Sequence, residues 1–374
     1  MQHEPTDLVY HLLPRHVGQT LASVLRDFQS STEGSQRLSW DQIRQQIHSR
    51  RVQVNGNVCV DDARRLKLTD VLKVLARPSS PPPGVNDIRI AYIDRDLVVV
   101  DKPAGITTTR HHEESNWSER RRQIQPTLDE LLPQVIAKYY QGDSAISVET
   151  RKVSHRGDVG RKSSKVRLRL GSSGRSEPSS SYRNPVYAVH RIDRDTSGLI
   201  VFARTREAEQ GLISQFKAHS TRRRYVAICS GHFPTGEQTY DSRFVRDRGD
   251  GLRGSTTDED ENVGKRAVTH ATLIDYVGDS SMISCRLDSG RTHQIRIHLL
   301  EAGFPLIGDK MYRKPLGGRT VPDTSGAVRT MLHAAEIGFA HPITGERIEL
   351  SVTPPRDFLE CVRRLAKKPK SDRI

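Results

Sequence analysis

The chain has 374 residues, 34% of them apolar and 5% aromatic, with a formal net charge of +14. That length exceeds one average domain and points to two, and the charge favours a polyanionic partner. No apolar run reaches membrane-spanning length and no basic amphipathic helix stands out, which argues against a membrane surface as that partner.

In chain order, residues 1 to about 12 are expected to be a disordered lead-in or an edge strand. From Gln19 the pattern turns helical, with Leu21, Val24, Leu25 and Phe28 on one face. Residues 29–36 read as a polar loop. Ser39 can N-cap the next helix, with Asp41 in its first turn and Trp40, Ile43 and Ile47 as its apolar stripe. The alternating stretch 52–56 predicts a strand ending in an Asn-Gly turn. Residues 77–86 contain PSSPPPG, a linker and a domain boundary. Residues 88–92 and 97–100 read as strands, followed by the turn sequence DKPAG at 101–105. Residues 126–140, PTLDELLPQVIAKYY, predict a helix. Residues 151–183 hold ten Lys and Arg against two Asp and Glu, so they supply +8 of the +14. With few apolar residues they cannot bury a core; they are expected to be a disordered basic insertion available for salt-sensitive phosphate contact.

Residues 190–198, HRIDRDTSG, are a dense polar knot between apolar runs at 187–189 and 199–203 that both read as buried strands. Two carboxylates, two arginines, a histidine and two hydroxyls crowd into nine positions. The residues alone leave two readings, a charged turn closing a hairpin or a reactive loop held on a rigid scaffold. Residues 207–217 predict a helix with Leu212, Ile213 and Phe216 on one face, and 222–231 a strand that starts basic. Residues 246–262 read as a surface insertion. In SGRTHQIRIHLLEAG, 289–303, Thr292 can N-cap a helix and Gly303 can terminate it. Ile295, Ile297, Leu299 and Leu300 would be buried, and Arg296 would project from the helix start. Residues 366–374 are a basic tail, expected to be disordered. Cys59, Cys229, Cys285 and Cys361 stand far apart with no CxxC pair, and no signal peptide is read at Met1, so they are expected to be reduced thiols of a cytoplasmic protein. His111 and His112 lack the spaced companions of a metal site.

The stretch HRIDRDTSG resembles the signature HRLDxxTSG of the RluA-type pseudouridine synthases, with Ile192 in place of the usual leucine. Further stretches resemble that family in its own order: DKPAG, TLDELL from Thr127, Tyr225 in a K/R-x-Tyr-x-Ala setting, GKRAVTH at 264–270, SGRTHQIR at 289–296, PLIGDKMY at 305–312, LHAAEIGFAHPITGE at 332–346 and ELSVTPP at 349–355. The resemblance covers roughly residues 88–356. It implies an α+β fold, a bent mixed and mostly antiparallel sheet with surrounding helices and an active-site cleft across it. It places the catalytic aspartate at Asp193 and its arginine partner at Arg296, and it adds Tyr225, whose ring could stack on a base and whose hydroxyl could handle a proton. Arg191 would occupy the space left by an extruded base. His190, Thr196 and Lys102 complete the implied substrate-binding set, with Thr196 and Ser197 chiefly shaping the loop.

The first part of the chain resembles the small RNA-binding module of ribosomal protein S-four, through the helix bearing Arg44, His48, Arg50 and Arg51, the VNG turn and the LTDVLKV strand at 68–74. In that family the basic helix face meets RNA phosphates. The expected organisation is therefore a small α+β RNA-binding domain at 13–76, a linker at 77–87, and a catalytic domain at 88–360 carrying the insertions 151–183 and 246–262.

Pseudouridine formation moves uracil from a nitrogen to a carbon linkage on the same ribose. It needs an ionised carboxylate in a closed site and no metal or other cofactor. Burial alone would neutralise Asp193, and a paired arginine counters that. The expected partner is RNA, large-subunit ribosomal RNA first and transfer RNA second, with no obligate protein partner. The alternatives are a non-catalytic RNA-binding or ribosome-assembly protein on the same scaffold, and a base glycosylase. The first predicts loss of Asp193, Tyr225 or Arg296, all of which are present; the second leaves HQIR and GKxAxT unexplained.

Overall fold

The computed structural model describes residues 7–30, 38–55, 57–76, 78–110, 114, 117, 119–142, 184–256, 258, 260 and 262–367. Outside them lie the basic insertion at 151–183, the tail from 368, most of the loop at 29–36, Gly56 and the His111-His112 pair. The chain divides into two units, Met1–Pro82 with Glu113–Gln125, and Pro83–His112 with Pro126–Ile374.

In the first unit β1 (Leu8–His11), α1 (Leu21–Ser30), α2 (Trp40–His48), β2 (Val52–Val54), β3 (Asn57–Val58) and β4 (Val71–Val74) follow in order, and α3 (Glu119–Ile124) joins them from later in the chain. The strands pair antiparallel in the order β1-β4-β2-β3, so residues 8–11 of the lead-in form an edge strand, and its residues 1–6 lie outside the described residues. Leu21, Val24 and Leu25 meet Ile43 and Ile47 over Val52, Val54, Leu72 and Val74, the faces that helical and strand periodicities bring together. Ser39 caps α2 as expected. Its Oγ accepts from Gln42 N at 3.2 Å, and Gln42 Oε1 accepts from Ser39 N at 2.8 Å. Trp40 departs from the expected stripe: it is 43% exposed and lies 4.2 Å from the Arg26 guanidinium.

The second unit contains β5 (Arg89–Ile93), β6 (Leu97–Lys102), α4 (Leu128–Gln141), β7 (Tyr187–Ala188), β8 (Ser197–Ala203), α5 (Arg206–Lys217), β9 (Arg222–Ser230), β10 (Glu237–Val245), β11 (Gly254–Ser255), β12 (Lys265–Val277), β13 (Ser280–Leu287), α6 (Gln294–Glu301), β14 (Leu332–Ala340), β15 (Arg347–Ser351) and α7 (Arg356–Ala366). Its sheet runs β11-β10-β12-β13-β9-β14-β8-β6-β5, with β15 paired to β14 and β7 to β8. Every pairing is antiparallel except β14 with β8. The fold is α+β, as expected.

β8 is buried at all seven positions, because the sheet is covered on both faces and leaves no strand side for water. Val98, Val100, Ile200 and Phe202 pack with Leu132 and Ile136 of α4 and with Ile295 and Leu299 of α6. The alternate residues Leu97, Val99, Leu199, Val201 and Ala203 pack with Ala208 and Leu212 of α5 and with strand β15. α7 seals a further patch with Phe358, Cys361 and Leu365. All four cysteines are buried, and none is in a disulfide. The segment at 246–262 is not simply superficial. Arg248 is buried, hydrogen-bonded to Asp250 and to the Lys314 carbonyl, and Leu252 packs near Phe244 and Tyr312. Among the described residues no helix is long and apolar enough to cross a membrane.

Candidate active site

The loop between β7 and β8 is pinned through its backbone. Thr108 Oγ1 donates to Ile192 O at 2.9 Å and accepts from Ile192 N at 3.3 Å. Gly105 N donates to Arg194 O at 2.8 Å, so the turn of DKPAG is fastened to the loop. Lys102, fully buried, donates through Nζ to the carbonyls of Ile106 (2.8 Å), Arg194 (3.0 Å) and Pro103 (3.1 Å). Burial pushes its amine down to about 7 against the upward pull of Asp195 and Asp193. Arg329 reaches Asp195 O at 3.0 Å while its fork grips Asp357. Thr196 N closes on Asp193 O at 3.1 Å. What these bonds leave pointing outward is the Asp193 carboxylate.

Arg296 meets that carboxylate from the first turn of α6, with Nη1 3.3 Å from Asp193 Oδ2. Its stronger attachment is to Asp309. Nε donates to Asp309 Oδ2 at 2.6 Å and Nη2 to Oδ1 at 2.9 Å, a two-pronged ion pair around a carboxylate with no exposed surface. Asp309 Oδ1 also accepts from Met311 N and Tyr312 N, both at 2.9 Å. Burial pushes the Asp309 carboxyl up, but Arg296 and the two amides outweigh it and hold it below the ordinary carboxylate value. Burial works against the Arg296 charge, yet Asp309 and Asp193 raise its pKa above the usual arginine value. The Tyr312 ring lies 4.8 Å from the same guanidinium. Tyr312 Oη contacts His293 Nδ1 at 2.8 Å, and His293 Nε2 stands 3.9 Å from Asp193 Oδ1.

The start of α6 is not built as expected. The helix begins at Gln294, and His293 precedes it in a left-handed conformation with φ 60° and no side-chain cap, so Thr292 is not the N-cap. The holding is done by Gln294, which is 3% exposed. Its Oε1 accepts from Ser289 Oγ (2.7 Å) and Arg291 N (2.9 Å), and its Nε2 donates to Val268 O (2.8 Å) and Thr269 Oγ1 (3.0 Å). Gly303 follows the end of the helix at φ 85°, as expected.

Tyr225 sits on the central strand β9, opposite Cys285 of β13 and Ala334 of β14, and is 8% exposed. Burial raises its pKa, Arg223 opposes this and Asp193 adds to it, so the phenol stays protonated beside the carboxylate. Arg191 is exposed, and the nearby Asp195 is held by Arg194 Nε at 3.1 Å.

Three residues proposed from the motifs to bind substrate face inward. Lys102 has its three N–H donors taken by carbonyls. Thr196 is 2% exposed. His190 stacks on Phe216, with ring centroids 4.4 Å apart, and its Nε2 accepts from Val201 N at 3.1 Å. Phe216 and Val201 belong to the core packed with α5, and Ile192 and Tyr225 to the core packed with α4 and α6. In the first unit, Arg51 spends its guanidinium on the carbonyls of Leu75 and Ala76, Arg50 Nε donates to Ser80 O, and Arg44 stands 3.6 Å from Asp41 and Asp62. Arg44 is the one of the three whose guanidinium is not tied to backbone. Asp309, Gln294 and Arg223, which lie in PLIGDKMY, SGRTHQIR and the basic start of the 222–231 strand, have no role that the sequence alone reveals. Asp94, Asp96 and His341 bring three potential metal ligands together. However, Asp94 already accepts from Tyr92 Oη, Asp96 N and Leu97 N and contacts His341.

A family model described as RNA pseudouridylate synthase matches residues 96–301. The ribosomal large subunit pseudouridine synthase D of Zymomonas mobilis is 32% identical over 327 residues, 86% of this chain and 88% of that protein. The uncharacterized RNA pseudouridine synthase YlyB of Bacillus subtilis is 30% identical over 349 residues, 91% of this chain and 93% of that protein. Among solved structures, human RNA pseudouridylate synthase domain containing 4 shares the fold, with a TM-score of 0.50 at 19% identity over 74% of this chain and 92% of that one.

Proposed function

The chain belongs to the RNA pseudouridylate synthase family, an isomerase that converts uridine to pseudouridine, and we propose that Asp193 is its catalytic carboxylate, acting on uridines of large-subunit ribosomal RNA in the cytoplasm. The observation that carries the assignment is the 3.3 Å contact between Arg296 and Asp193, which fixes the direction of the carboxylate in a partly enclosed site. In the reaction the bond from ribose C1′ to uracil N1 breaks, the uracil turns, and C1′ bonds to C5. The C5 proton is lost and N1 gains one, so no electron acceptor is required. An ionised Asp193 serves this sequence by attack or by proton removal. Tyr225, protonated beside it, offers a ring to stack on the extruded uracil and a hydroxyl for proton transfer. Exposed Arg191 would take the space that the extruded base leaves in its stack, its planar fork suited to bases and phosphates. The name of the Zymomonas mobilis relative supports the ribosomal target; transfer RNA is the second substrate to test.

Pseudouridine mapping of total RNA from cells with the wild-type protein, with none, and with Asp193→Asn tests the assignment. Specific sites should vanish equally in the last two, with turnover of the purified variant down on the order of 10³-fold. Arg296→Met should lose activity while still binding RNA. Sites that persist with Asp193→Asn would remove Asp193 from the chemistry, and an unchanged map in every strain would favour a non-catalytic RNA-binding protein.

A further inference from the structure

Four arginines of the described residues are buried: Arg223, Arg248, Arg313 and Arg329. Three hold acceptors. Arg248 has Asp250 and a carbonyl, Arg313 has carbonyls of Leu306, Val321 and Pro322, and Arg329 has Asp357 and the Asp195 carbonyl of the catalytic loop. Arg223 is the exception. It is 7% exposed, its Nε is sealed without a partner, and it makes no hydrogen bond or ion pair with the described residues. Asp288, the carboxylate that most influences it, is engaged by His270 at 2.8 Å and Arg286 at 3.1 Å. A buried guanidinium without an acceptor is costly, and proteins normally pair such groups.

The position of this cation matters. Arg223 stands two residues before Tyr225 on β9, so both side chains leave the strand on one face. Gly290, in SGRTHQIR, makes room for it: a Cβ there would lie 2.6 Å from Arg223 Nη1. The Phe216 ring lies 5.6 Å from its guanidinium carbon. Through His190, which stacks on Phe216, the HRIDRDTSG loop joins the Tyr225 strand and the SGRTHQIR segment around this positive charge.

We infer that Arg223 is a substrate-binding residue whose missing partner is a phosphate of the RNA strand beside the target nucleotide. This deepens, and rests on, the reading of the site as a pseudouridine synthase centre. A phosphodiester supplies both the full charge and the two oxygens that a guanidinium fork matches. The contact would anchor the backbone next to Tyr225 while the base turns over Asp193.

The test is a binding cycle, which reads independently of turnover. The probe is a uridine-containing RNA oligonucleotide spanning a site lost in the mapping experiment, or a uridine-rich hairpin if none is lost. It carries a neutral methylphosphonate at one linkage at a time. Affinity is measured for the full-length wild type and for Arg223→Gln across a salt series. Arg223→Gln should weaken binding on the order of ten-fold and lower the salt slope by about 1. Neutralising one linkage near the uridine should weaken wild-type binding and leave Arg223→Gln unaffected, the signature of a direct pair. If Arg223→Gln does not fold, Gly290→Ala displaces Nη1 with Arg223 retained and should show reduced sensitivity at the same linkage. Losses that multiply at every linkage would overturn the phosphate assignment, and an unchanged affinity would make Arg223 a packing residue. Failure of the catalytic reading shows separately, as linkage-specific coupling in a protein that makes no pseudouridine.

Discussion

Asp309 does for Arg296 what Arg296 does for Asp193. Two of the three guanidinium nitrogens are committed to Asp309 and the third is left for Asp193. Without that clamp the side chain could rotate away or sit symmetrically on the more exposed carboxylate. Asp309→Asn keeps the volume but turns one acceptor into a donor facing the guanidinium. We expect kcat to fall on the order of 10²-fold with KM nearly unchanged, as for loss of positioning. Asp309→Ala removes the buried counter-charge and should cost about 3–5 kcal/mol of stability. A full-rate Asp309→Asn enzyme would show that Arg296 is held by other means. The pairing of Arg296 with Asp193 was legible in the sequence because both stand in family-like motifs, and the contact is present. Asp309 was not, since a lone carboxylate between Gly308 and Lys310 looks like any turn residue until its burial is known. Lys102, Thr196 and His190, grouped by the motifs with the substrate-binding set, turn inward; nothing in the sequence says on which side of a strand or turn a side chain leaves.

At the scale of elements, the loop depends on how closely β8 approaches β14. Gly198 has φ 111°, and a Cβ on it would lie 2.2 Å from the Ala334 carbonyl oxygen and 2.7 Å from its carbon. No side chain fits there without parting the parallel pair of β8 and β14. The residue before it, Ser197, ties the same strands through a 2.9 Å contact to His333 Nδ1. Gly198→Ala should therefore cost several kcal/mol, on the order of 3 or more, read as a lower urea midpoint for this unit. An unchanged midpoint would contradict the close approach. From sequence, DTSG could equally be a hairpin turn, because Thr, Ser and Gly are turn residues by composition. What decides is long-range: Ser197 and Gly198 already belong to β8, and their partners are 136 residues away at 333 and 334. Helices were more legible, since their apolar spacing is local. The exception, the start of α6, was missed because a left-handed histidine rather than a capping hydroxyl opens it.

At the scale of the whole molecule, buried histidines give the catalytic unit a predictable response to acid. His298 and His333 are 3% and 0% exposed, and burial pushes both down to about 4. Burial, with Arg223 nearby, pushes His190 down to about 3. His333 Nε2 stands 3.3 Å from the Val352 carbonyl, which can only accept, so Nδ1 accepts from Ser197 Oγ and the ring is neutral. Unfolded histidines titrate near 6.5. Between pH 6.5 and about 4 the unfolded chain therefore binds protons that the native state refuses. The unfolding free energy then falls as pH falls, and the full contribution is present above 6.5. Each group acts with a limiting slope of about 1.4 kcal/mol per pH unit. Asp101, pushed up to about 6 by burial, has the opposite sign: below pH 6 the native state holds a proton that the unfolded chain releases, offsetting one histidine. The net expectation is a loss of roughly 2 kcal/mol or more between pH 7 and pH 5 in the β8–β14 region. Both tryptophans, Trp40 and Trp117, fall in the other unit, so their fluorescence would report the wrong transition. Hydrogen exchange at the amides of β8 and β14 reads the right one. Wild type should lose protection steadily on acidification, and His298→Gln with His333→Gln should flatten that dependence by about two groups. Parallel curves for wild type and the double variant would mean that these histidines are not neutral in the native state, and that the acid response arises elsewhere in the sheet.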